Sequence, residues 1–121
     1  MDRRDVANWI AHYEHAWRSP GTHELEALFT PGALYSQGPY RDPVEGLDAI
    51  AQMWEGERTG PDEHFSMTSA LVALDEEVAV ARVEVHYHDS GKTWRDLWVM
   101  RFDAKGLCTA FEEWPIAPEQ E

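Results

Sequence analysis

From Val78 to Trp114 the chain runs through three alternating apolar and polar segments separated by turn-forming tetrapeptides, and no other stretch limits the fold as tightly. Val78–His88, Thr93–Phe102 and Leu107–Trp114 read as antiparallel strands, because successive strand side chains point to opposite faces. On the first strand Val78, Val80, Arg82, Glu84, His86 and His88 share one face, and Ala79, Ala81, Val83, Val85 and Tyr87 share the other. Asp89-Ser90-Gly91-Lys92 and Asp103-Ala104-Lys105-Gly106 have the composition and length of hairpin connections. Pairing His88 with Trp94 brings His86 opposite Asp96, Glu84 opposite Trp98 and Arg82 opposite Met100. Pairing Phe102 with Leu107 brings Asp96 opposite Glu113. The expected result is one face holding Arg82, Glu84, His86, Asp96 and Glu113 among Trp94, Trp98, Met100 and Phe111. A slip of one residue would scatter this set, and both faces of the first strand could serve as core.

The rest of the chain supplies a partner for such a sheet. Val6, Trp9, Ile10, Tyr13, Ala16 and Trp17 follow helical spacing over residues 5–18, with Asp2 or Asp5 as cap and Ser19-Pro20-Gly21 as stop. A short helix from Thr22 buries Leu25, Leu28 and Phe29, and Ala33–Gln37 reads as a short strand. Gly38–Pro43 is an irregular loop whose two prolines exclude a central strand. Leu47, Ile50, Ala51 and Trp54 mark a third helix over 47–58. A loop at Thr59-Gly60-Pro61-Asp62 leads into a strand over His64–Leu74, and the acidic tail from Pro115 is expected to fray. The order predicts an α+β fold in one domain of 121 residues, with its core over about 6–115 and a pocket between helices and curled sheet.

The net charge of −13 disfavours nucleic acid and anionic membranes. No apolar run approaches the roughly 18 residues of a membrane span. The first residues lack the apolar core of a secretory signal. A lone cysteine, Cys108, excludes an internal disulfide and fits a reducing compartment, so the expected location is cytoplasmic. Six tryptophans in so short a chain point either to a bulky core or to an aromatic pocket.

Element order, together with Trp17, Leu25-Glu26-Ala27-Leu28-Phe29-Thr30-Pro31-Gly32-Ala33 and Gly46-Leu47-Asp48-Ala49-Ile50, resembles the nuclear transport factor two-like superfamily, and within it the SnoaL-like proteins. The resemblance implies a cone-shaped barrel, a curved and mainly antiparallel sheet wrapped around three N-terminal helices, with a ligand pocket inside. It also implies a homodimer through the outer sheet face, here Ala81, Val83, Val85, Leu97, Val99, Ala110 and Trp114. The superfamily spans isomerases, dehydratases, cyclases, epoxide hydrolases and proteins without chemistry. Tyr13 matches the helix tyrosine of ketosteroid isomerase, but Gln37 and Trp98 fall where its base and its protonated aspartate belong. For scytalone dehydratase only His86 finds a match. The site is more similar to that of limonene epoxide hydrolase, whose arginine between carboxylates and Tyr-x-Asn would correspond to Arg82-Val83-Glu84, Glu113 and Tyr35-Ser36-Gln37.

The sequence thus nominates Arg82, Glu84, Glu113, Asp96 and His86 for acid/base chemistry. Tyr13, Trp17, Tyr35, Gln37, Trp54, Trp98 and Phe111 are nominated to line a pocket for a small, mostly apolar molecule. No cofactor is implied. His86-x-His88 with Asp96 is too sparse a pattern for a metal site. Three readings stay open: a ligand-binding protein or enzyme with cofactor-free acid/base chemistry, an epoxide hydrolase, and a non-catalytic dimeric interaction domain. In the last, the charged line is only a paired polar network.

Overall fold

A computed structural model of the protein describes residues 1–58 and 64–120; the expected loop at 59–62 lies outside them. Helix α1 spans Arg3–Arg18 and begins in a capping box. The Asp2 carboxylate accepts from the Asp5 N–H at 2.8 Å, and Asp5 accepts in return from the Asp2 N–H at 3.0 Å. Its apolar stripe, Val6, Trp9, Ile10, Tyr13 and Ala16, is buried as the periodicity predicts. A 3-10 turn at His23–Ala27 follows, then strand β1 (Phe29–Ser36), a two-residue strand β2 (Val44–Glu45) and helix α2 (Leu47–Glu57). Gly46, at φ +91°, makes the bend into α2 that a side chain would strain. Strands β3 (Phe65–Asp75), β4 (Val78–Tyr87), β5 (Thr93–Phe102) and β6 (Cys108–Ile116) complete the chain, with a last 3-10 turn at Pro118–Gln120.

The six strands form one sheet in the order β2-β1-β6-β5-β4-β3. Every pairing is antiparallel except β1 with β6, which is parallel. Two expectations change. The helical layer holds two α-helices and a 3-10 turn, where three helices were expected, because five residues between Thr22 and Leu28 do not complete an α-helical segment. The sheet has two free edges, β2 and β3, so it curves without closing into a barrel. The tail also departs from expectation: β6 runs on to Ile116, and Lys92 donates to Glu119 at 2.9 Å.

The decisive departure is the β4–β5 register. The Tyr87 N–H donates to Lys92 O, and the Gly91 N–H to Tyr87 O, each at 2.9 Å. Gly91 supplies the positive φ, +73°, that this tight turn requires. His86 therefore pairs with Thr93, Val83 with Asp96 and Ala81 with Trp98. Relative to the register expected from the sequence, the slip is an odd number of residues, so the faces of β4 exchange. Ala79, Ala81, Val83, Val85 and Tyr87 turn toward the helices with Trp94, Asp96, Trp98 and Met100. Arg82, Glu84 and His86 turn outward. The β5–β6 register differs from expectation by an even number, with Trp98 opposite Glu113, so Asp96 and Glu113 stay on one face as read.

The core is a cluster of rings. Trp9 donates its indole N–H to Leu28 O at 3.0 Å, and Tyr13 stacks on Phe111 with centroids 5.4 Å apart. Cys108 is buried, and desolvation pushes its thiol up to about 12. The ends of α1 and α2 are tied by Arg58, whose side chain is 6% exposed. Its Nη1 donates to Ala16 O at 3.2 Å and Ser19 O at 2.8 Å, and its Nη2 to Gly21 O at 2.8 Å. A cation on the free carbonyls at a helix C-terminus is favoured by both hydrogen bonding and the helix dipole. Replacing it by Arg58→Met should lower unfolding stability by roughly 2–4 kcal/mol, because several carbonyls lose a charged donor at once. Urea denaturation checks this; a change below about 0.5 kcal/mol would mean that water replaces the guanidinium at no cost.

Candidate active site

Between the helices and the curled sheet lies a cavity of about 480 Å³ that opens to solvent on one side. Helix α1 contributes Tyr13 and Trp17, α2 contributes Trp54 and Glu57, β1 leads in Tyr35 and Gln37, and β5 and β6 contribute Trp98, Asp96 and Glu113. Each arrives by simple periodicity. Tyr13 and Trp17 are four apart on one helix, and Trp54 and Glu57 three apart on the other. Asp96 and Trp98 are two apart on one strand.

At the inner end the Tyr13 and Tyr35 hydroxyls share a short hydrogen bond of 2.6 Å, and the Tyr35 hydroxyl reaches Glu113 Oε1 at 3.5 Å. Burial pushes the Glu113 carboxyl up to about 8, and the nearby charges of Asp96 and Glu57 push the same way. Asp96, on the neighbouring strand, is raised by burial to about 6, while the Trp98 indole and the Ile116 backbone N–H hold it down. The Tyr13 and Tyr35 phenols lie well above their ordinary value, first through desolvation and next through the charge of Glu113, so both stay protonated. Around them three buried polar atoms, Asp96 Oδ1, Trp98 Nε1 and Trp54 Nε1, make no geometrically sound hydrogen bond among the described residues. The indoles lie close enough to Asp96 and Tyr35 to favour their charged forms without closing a bond.

The structure brings together Tyr13, Trp17, Tyr35, Gln37, Trp54, Trp98, Asp96 and Glu113. It does not bring in Arg82, Glu84 or His86. Arg82 and Glu84 are exposed on the outer face, where Glu84 meets Arg95 at 3.4 Å. His86 accepts from or donates to Thr93 Oγ1 at 2.8 Å on the same outer side. The cause is the β4–β5 turn, which exchanged the faces of β4. Phe111 is 1% exposed and packs beneath Tyr13 and Trp98 as floor, not lining. Of the outer face expected to pair subunits, Ala81, Val83 and Val85 point inward for the same reason. Sequence reasoning missed Glu57, Tyr87 and Arg41, which also line the cavity. Glu57 continues the Ile50–Trp54 helical spacing and Tyr87 the Val83–Val85 alternation, so both carried a signal; Arg41, in a loop, carried none. Among the described residues no group of three or more His, Cys, Asp or Glu has metal-binding geometry, and no helix is long and apolar enough to cross a membrane.

A curved mixed sheet packed on two helices around an acid-containing aromatic cavity defines the nuclear transport factor two-like class. The chain belongs to the SnoaL-like domain family, whose model matches residues 9–111. Among solved structures it is similar to a cystatin-like protein of unknown function from Methylobium petroleophilum, at 21% identity over 98% of this chain and 80% of that one, TM-score 0.74. It is also similar to the epoxide hydrolase/cyclase-like enzyme SalBIII of pyran ring formation in polyether salinomycin, at 13% identity over 94% and 92%, TM-score 0.69. A proposed ketosteroid isomerase from Parabacteroides distasonis aligns at 17% identity over 91% and 86%, TM-score 0.62. At these identities the likeness is one of fold. No curated protein matches the chain.

The buried acid leaves a mark on stability. Folding raises the Glu113 carboxyl from 4.5 to about 8, so its contribution is greatest below about pH 4.5 and is lost as the pH climbs through about 8. Glu113→Gln keeps the shape without the charge. It should be more stable than the parent by roughly 1–3 kcal/mol at about pH 9 and nearly equal at about pH 5. Thermal unfolding across that range checks it; parallel curves would show that Glu113 carries no desolvation cost.

Proposed function

We propose that the protein is a cofactor-free acid/base enzyme that moves a proton within a small carbonyl substrate, by isomerisation or by elimination of water. The observation that carries this is the Tyr13–Tyr35–Glu113 hydroxyl chain beside Asp96 at the inner end of the cavity. Two carboxyls whose environments separate them, about 6 and about 8, form a natural base and acid near neutral pH.

The roles follow from hydrogen-bond direction. When Glu113 is protonated it donates to Tyr35, Tyr35 donates to Tyr13, and the Tyr13 O–H is left free to donate to a substrate oxygen. Ionised Asp96 takes the proton from the carbon next to that carbonyl, and the oxygen's growing charge rests on Tyr13. The proton returns at the far carbon of an unsaturated ketone, or a β-hydroxyl departs as water with it. Aligned donors in a water-poor site contribute most where charge develops. Trp17, Trp54 and Trp98 supply the apolar walls.

Epoxide opening is the second reading, favoured by the fold shared with the epoxide hydrolase/cyclase-like enzyme. It would use Glu113 as acid and Asp96 as base, without the arginine expected at Arg82. A purely structural domain is less well supported, because the cavity is not filled by side chains. The outer face retains Leu97, Val99, Ala110 and Trp114, the last 36% exposed, and we propose that a homodimer would form there.

The test is turnover of β,γ-unsaturated ketones, β-hydroxy ketones and cyclic epoxides. For a substrate that turns over, kcat/KM should be bell-shaped, with limbs near about 6 and about 8 as Asp96 loses and Glu113 loses its proton. Asp96→Asn should cost about 10²–10⁴-fold and Tyr35→Phe about 10–100-fold. No turnover of any class, or activity unchanged in folded Asp96→Asn, overturns the catalytic reading.

A further inference from the structure

Beyond proton transfer, the cavity has a chemistry of its own to offer a ligand. Among the described residues its lining carries four carboxylates, Glu14, Glu57, Asp96 and Glu113, and a single cation, Arg41, on an exposed loop. Of these, only Glu14 is neutralised by a cation among the described residues, by Arg18 at 2.8 Å. Glu57 has just the neutral Gln37 amide at 2.7 Å. Neither Asp96 nor Glu113 has a cationic partner among the described residues. Asp96 Oδ1 and, beside it, the N–H of Trp98, a residue 2% exposed, close no hydrogen bond of sound geometry among the described residues, although the indole lies near enough to favour the charged carboxylate. Such atoms are costly unless something meets them.

The same space is walled by rings whose faces attract positive charge. Arg18 lies over Phe65 at 3.8 Å, and Arg58 over both Trp17 and Trp54 at 5.8 Å, each approaching a pocket ring. Aromatic walls with carboxylates at one end are how proteins hold ammonium groups. A molecular net charge of −13 draws the same ligands toward the surface.

We infer that the pocket takes a small organic amine, its ammonium group seated among the aromatic rings and donating to Asp96. The inference rests on the small-molecule part of the reading above and not on its chemistry. An oxygen elsewhere on the ligand would find the Tyr13 hydroxyl and the Trp98 indole. Binding is coupled to protonation. Glu113 is faced by Tyr13 from α1, Tyr35 from β1, Glu57 from α2 and Asp96 from β5, all neutral or acidic, with Tyr87 from β4 adding a further phenol near Tyr13. An ammonium placed in that ring of groups favours the ionised carboxylate, so the amine should displace a proton from Glu113 near neutral pH.

The experiment is calorimetric titration of the full chain at about pH 7 with 2-phenylethylamine and with 2-phenylethanol, its neutral isostere. The amine should bind about tenfold more tightly or better, the range expected of a desolvated cation–π contact with a carboxylate. Its apparent heat should differ between phosphate and Tris buffers because a proton is released, and Glu113→Gln should abolish that difference. Asp96→Asn should reduce the amine preference. Equal or tighter binding of the alcohol overturns the inference, as does no detectable binding of the amine at millimolar concentration. Turnover of neutral ketones without amine preference would sink this inference alone. Amine binding without turnover of any class would sink only the catalytic reading.

Discussion

The turn between β4 and β5 is the constraint on which the site depends. Closing the hairpin at Tyr87 and Lys92, with Gly91 in the left-handed region, selects which of two alternating faces of β4 meets the helices. The selected face contains Ala79, Ala81 and Val83, all essentially unexposed. The rejected face contains Arg82 and Glu84, which would have been desolvated in the core. Burying an ion pair seldom recovers the hydration it loses, whereas burying small apolar groups gains at each residue. The observed register is therefore the one that the hydrophobic effect and the turn both favour.

That same register carries Asp96 inward with Trp94 and Trp98. An acid among indoles is a poor choice for stability and a good one for reactivity. Asp96 and Glu113 are pushed apart in proton affinity by different surroundings: Asp96 has nearby N–H groups that favour its charge, and Glu113 has mainly acidic neighbours and a distant phenol. The fold accommodates this because the core around the two partly buried acids is made of rings and aliphatic groups, with no fully buried polar or charged residue among those described. Proteins commonly tolerate such local cost where a site needs it.

The helices hold the open side of the cavity in place. Arg58 binds the carbonyls at the end of α1 from the residue that follows α2, and it lies over Trp17 and Trp54. Arg18 does similar work at the other wall, donating to Phe65 O at 2.9 Å while lying over the Phe65 ring. Two arginines thus fix three aromatic walls without entering the space between them. Trp54 of α2 meets two rings of α1 edge to face, Trp17 with centroids 4.8 Å apart and Tyr13 with centroids 5.1 Å apart.

Much of this was legible from residue order alone. Helical spacing placed Val6, Trp9, Ile10, Tyr13 and Ala16 on the buried side of α1, and Ile50 and Trp54 on that of α2, because a period of 3.6 residues admits only one such face. The even shift in the β5–β6 pairing left Asp96 and Glu113 together, as alternation had implied. Tyr13, Tyr35, Gln37 and Trp54, nominated as lining, face the cavity, although the arginine and glutamate that Tyr35 and Gln37 were matched with lie outside it. The parallel pairing of β1 with β6 and the two-residue β2 were not legible, since each depends on contacts between separate segments and not on local preference. Nor was the face of β4, because a strand apolar on one side and apolar-to-charged on the other satisfies the period-two rule either way. What the amino-acid order determined was the two α-helices, the long strands and the composition of their faces; what only the tertiary structure decided was which face of β4 is inside, because that turns on the closing pair of one hairpin and on the relative cost of desolvating Arg82 and Glu84 against Ala81 and Val83.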